Sequence, residues 1–70
     1  MESVDQVDSE RLARFEAALG RLVAERESVT ATLEALRAQG KTRTATYQQL
    51  TARKLTLKAA LAPFEEEGLL

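Results

Sequence analysis

Two stretches of this chain carry an apolar repeat of seven residues, and a single glycine stands between them where the chain would turn. In the first stretch Leu12, Phe15, Leu19, Leu22, Val29, Leu33 and Leu36 keep alternating spacings of three and four once Arg26 is counted in the pattern. In the second, Tyr47, Leu50, Leu57, Leu61 and Phe64 do the same once Lys54 is counted. Such spacing belongs to helices that bury one stripe against a partner helix. It predicts an all-α fold, an antiparallel two-helix hairpin of coiled-coil type folded back around Gly40.

Local signals set the expected boundaries within one domain, 1–70. Residues 1–7 are polar with isolated valines and read as a frayed N-terminus. Asp8 is placed to cap, with Val7 and Leu12 as the apolar pair that staples the entry. From Ser9 to Gln39 there is no proline, Gly20 is the only glycine, and good helix formers dominate, so helix 1 is predicted over 9–39. Gly40 supplies the left-handed residue that often ends a helix, and 40–42 is the expected turn. Threonine alternation from Lys41 to Thr46 leaves the start of helix 2 open, with Thr42 or Thr44 as cap and Thr46 with Gln49 as a later capping box. Helix 2 is predicted over 43–62, because Pro63 has no N–H to donate and its ring clashes with the carbonyl four residues back. A short C-terminal turn and tail, 63–70, follows, in which Gly68 closes the turn before Leu69 and Leu70.

Folding the helices back about Gly40 pairs Leu36 with Tyr47, Leu33 with Leu50, Leu22 with Leu61 and Leu19 with Phe64. Two layers are mixed, Val29 facing Lys54 and Arg26 facing Leu57. The pairing also exposes a shortage: helix 2 is the shorter, so Leu12 and Phe15 have no facing helix. Cover must come from the tail, through Phe64, Leu69 and Leu70, or from another chain. Chains of 70 residues bury a small fraction of their surface, and dimerisation into a four-helix bundle is the expected remedy. Alanines at 17, 24, 31, 38, 45, 52 and 59 repeat every seven residues opposite the seam. They favour helix and also permit close approach. Val23 and Leu55, apolar but off the seam, are further candidates for a surface between chains.

Composition removes whole classes of chemistry. There is no cysteine and no histidine, which excludes disulfides, thiolate zinc sites and haem ligation through those residues. Only carboxylates remain as metal ligands, and no cofactor is expected. No apolar run approaches the ~18 residues of a membrane helix, and the N-terminus lacks a basic flank with an apolar core. A soluble cytoplasmic protein without a membrane partner is therefore expected.

Charge is unevenly spread although the net value is only -1. The first 34 residues hold most of the acids, residues 35 to 63 hold six bases and no acid, and Glu65 to Glu67 close the chain. The basic stretch makes nucleic-acid binding a conceivable role, with Lys54 and Lys58 one turn apart and Tyr47 as the single aromatic available for stacking. Arg26 and Lys54 occupy seam positions, where an unpaired buried charge is costly. Long stems lying along the seam with their charges at the surface, or beside Glu25 or Glu27, is the expected arrangement. An anion site inside a bundle, and with it an enzyme, is the remoter alternative. Carboxylates two apart, such as Glu25 and Glu27, do not share a helix face, and no threonine has an activating base beside it.

The expectation is a non-catalytic structural or protein–protein interaction module, a self-associating hairpin whose partner is a second copy or another helical protein. Its interaction candidates are Leu12, Phe15, Val23, Leu55, Phe64, Leu69 and Leu70, with Arg26 and Lys54 as seam charges.

Overall fold

The computed structural model describes residues 4–70. It contains two helices, α1 over Val4–Ala38 and α2 over Ala45–Glu66, packed against each other as a hairpin. Antiparallel pairing brings Phe15 against Phe64 at one end and Arg37 against Tyr47 at the other.

α1 begins earlier than the expected Ser9. Nothing between Val4 and Asp8 breaks a helix, and each residue added to an existing helix gains one backbone hydrogen bond. Asp8 therefore lies within the helix instead of capping it, and Asp5 carries the negative charge of the first turn. Of the segment 1–7 read as frayed, 4–7 are helical and 1–3 fall outside the described residues.

Both helices end in the same way. Lys41 N–H donates to the Leu36 carbonyl at 2.8 Å and Gly40 N–H to that of Arg37 at 3.0 Å. Leu69 N–H donates to Phe64 at 2.8 Å and Gly68 N–H to Glu65 at 3.0 Å. These paired bonds form a Schellman motif, which needs a left-handed residue. Gly40 and Gly68, at φ 72° and 73°, supply it without the Cβ penalty. The connection then runs to Thr44, whose extended backbone and hydroxyl, accepting from Tyr47 N–H at 3.1 Å, cap α2. The same hydroxyl donates to the Lys41 carbonyl at 3.2 Å. Of Thr42, Thr44 and Thr46, Thr44 is the cap, and the turn is wider than 40–42.

α2 does not stop at Ala62. It runs through Pro63 to Glu66, so 63–66 are helix and not a separate turn. An interior proline costs about 3 kcal/mol, and contacts on both sides of it offset that cost. Leu61, two residues before Pro63, is fully buried at 0 % exposure. Phe64 and Glu65, just after it, reach α1 at Phe15 and Arg26.

The core is thin. Val29, Leu33 and Leu57 form its centre, with Leu22, Tyr47 and Leu50 packed against them. Leu19 and Leu61 are also buried. Leu57 packs with Val29, a partner the sequence pairing assigned to Lys54. Phe64, expected opposite Leu19, has its ring 5.7 Å from that of Phe15. At ~1.5 Å rise per residue, α1 is ~52 Å long and α2 ~33 Å, so the first part of α1 extends beyond α2.

Candidate functional site

The outer end of the hairpin is apolar and only partly covered. Phe15 stands there because it is one turn beyond Leu12 on the same face of α1. The continuation of α2 through Pro63 brings Phe64 against it. Phe15 thus meets Phe64, one of the residues expected to cover it, although from a continuous α2 and not from a separate tail, and it remains 44 % exposed. Leu12 stays open at 58 %. Leu69 and Leu70 follow the α2 cap and are exposed too, so the tail does not seal this end.

Arg26 and Lys54 shape the middle of the hairpin. Arg26 leaves the seam toward the last turn of α2 and donates from Nη1 to Glu65 Oε1 at 2.6 Å. Its partner is thus Glu65, not Glu25 or Glu27. Glu25 is held from the other helix: Arg53 donates from Nε and Nη2 to its two carboxylate oxygens, the second at 2.9 Å. The Arg53 hydrogen bonds keep the Glu25 carboxyl below the usual glutamate range and raise the Arg53 guanidinium. Both partners are solvent-exposed, so this bridge orients the helices more than it stabilises them.

Where the seam positions are charged, an open groove of about 520 Å³ lies along the hairpin. One wall comes from α1, with Glu27, Thr30, Ala31 and Glu34, and the other from α2, with Lys54 and Lys58. Arg26 and Glu65 complete the lining. Among the described residues, Glu27, Glu34, Lys54 and Lys58 form no ion pair within the chain. The groove thus has an acidic wall facing a basic one. Val23 is half-buried and lies one turn before Glu27; Leu55, 63 % exposed, lies one turn before Lys58. Neither lines the groove itself; helix spacing puts each on the side of its helix that carries a lining residue.

Glu27, Thr30, Glu34 and Glu65 line the groove without being marked out as site residues by the heptad pattern. Spacings of three, four and seven put the first three on one helix face, so the acidic wall was legible in principle. Glu65 was not, because its position depends on α2 crossing Pro63. Ala31 was expected opposite the seam; it and the other six alanines of that repeat are exposed, and it also lines the groove.

Two bases of the basic stretch are engaged inside the hairpin. Arg53 binds Glu25, and Arg37 donates to the Tyr47 hydroxyl at 3.2 Å, which raises the Arg37 guanidinium. Tyr47 is half-buried against the core. Among the described residues there is no cluster of acids suited to a metal ion, and no helix is long and apolar enough to cross a membrane. No family model, curated protein or solved structure matches the chain.

Proposed function

We propose that this chain is a non-catalytic interaction module that works as a self-associated helical hairpin, two copies completing a four-helix bundle. The observation that carries the reading is surplus surface. The hairpin exposes 5559 Å², whereas a compact chain of 7.7 kDa exposes ~4,300 Å². Its radius of gyration is 16.9 Å against ~11 Å for a compact domain of this length. Part of that surplus is large apolar side chain, with Leu12, Phe15, Leu55, Leu69 and Leu70 all exposed. Burying such area is the main favourable term in association.

Nucleic-acid binding is the weaker reading, because Arg37, Arg53 and Tyr47 are already occupied within the hairpin. An enzyme built on Arg26 and Lys54 is weaker still, since Arg26 is neutralised by Glu65 and the groove is open to water. Sedimentation equilibrium over a wide concentration range tests the proposal. The expected result is a mass that rises to twice that of the chain, with a melting temperature that rises with concentration. A single chain mass at the highest concentration refutes it.

A further inference from the structure

The charges of the groove identify how the two copies would meet, an inference that rests on the self-association just proposed. A hairpin that docks face to face with its copy has a two-fold axis in the plane of contact, and that axis has two distinct settings. Set across the helices, it stacks α1 on the partner's α1, so that Glu27 and Glu34 meet the same acids and Lys54 and Lys58 meet the same bases. Set along the helices, it lays α1 on the partner's α2. The acidic wall of each copy then rests on the basic wall of the other, twice per dimer.

We infer that the groove lined by Glu27, Thr30, Ala31, Glu34, Lys54 and Lys58 is the docking face for a second copy of this chain, with the two-fold axis running along the helices. All six residues line one groove, so the opposed charges stand at the same level of the hairpin. Glu27, Lys54 and Lys58, which make no ion pair among the described residues of one chain, and Glu34, which acts there on Arg37 of its own helix, find opposite charges across the dimer, which like-charge contact denies to the other setting. Thr30 and Ala31 are small and sit between the two acids, leaving room for the backbone of the incoming helix. Val23 and Leu55, one turn from Glu27 and Lys58 on their helices, would add apolar contact at its margin.

The size of the face fits. A contact as long as α2, ~33 Å, and 21 Å wide covers ~700 Å² per copy, or ~1,400 Å² in all, inside the ~1,200–2,000 Å² of specific interfaces. It would remove more than half of the surface surplus of each chain.

Charge exchange tests the arrangement, and all four charged residues are exposed, so the core is untouched. Glu27→Lys with Glu34→Lys makes both walls basic; Lys54→Glu with Lys58→Glu makes both acidic. Each double variant alone is expected to dimerise on the order of 100-fold more weakly than the unaltered chain. An equimolar mixture is expected to form the mixed dimer, and the fourfold variant with both walls exchanged to dimerise as the unaltered chain does, which a misfolded protein would not do. If the unaltered chain dimerises and both double variants keep its dissociation constant, the groove is not the docking face although self-association stands. If neither the mixture nor the fourfold variant recovers dimers, the pairing of acidic with basic wall is wrong. A monomeric unaltered chain removes the underlying reading as well.

Discussion

Pro63→Ala should make this protein more stable, and the size of the gain follows from where the proline sits. Pro63 lies inside α2, with Phe64, Glu65 and Glu66 continuing the helix beyond it. It is exposed, so the replacement removes no core contact. Alanine restores an N–H for the carbonyl of Ala59 and relieves the ring clash, a difference of about 3 kcal/mol in a helix interior. The unfolded chain becomes more flexible, which returns ~0.4–1 kcal/mol. A net gain of ~2 kcal/mol remains, or ~8–16 °C in melting temperature for a domain of this size. Thermal unfolding followed by circular dichroism, with both proteins at one concentration so that association does not enter the comparison, measures it. An unchanged or lower melting temperature would refute the reasoning. It would mean that the helix ends before Pro63 in solution and that Phe64 and Glu65 do not reach Phe15 and Arg26 from a continuous helix.

Other substitutions test the core, the first helix and the cross-helix ion pair. Leu61→Ala removes a fully buried side chain and should cost about 2–5 kcal/mol; in so thin a core, a midpoint in urea close to that of the unaltered chain would contradict the observed packing. Gly20 lies within α1, and a Cβ built there meets nothing within 4 Å, so Gly20→Ala should add about 0.8–1 kcal/mol, and a loss of stability by the same titration would argue against a continuous helix there. Glu25 has its pKa lowered by Arg53, so its contribution is present above the unfolded glutamate value of about 4.3 and is lost as the pH falls through the lower folded value. The difference in melting temperature between Glu25→Gln and the unaltered chain should therefore be largest near neutrality and vanish in acid below that value; a difference independent of pH would show that the ion pair is not its source.

The sequence by itself determined the local plan: two helices, their apolar stripes, and a reversal at Gly40. Those features depend on near neighbours, because helical periodicity, propensity and the need for a left-handed residue at a helix end act over a few residues. The same reasoning placed the end of helix 2 at Ala62, since proline opposes helix locally. Tertiary structure decided otherwise, because Phe64 and Glu65 reach Phe15 and Arg26 of α1 from the turn of helix that continues beyond the proline. That one continuation gives Phe15 a facing ring and Arg26 a carboxylate. The groove also belongs to the tertiary level: its acids and bases are far apart in the chain, and only antiparallel packing sets one wall against the other.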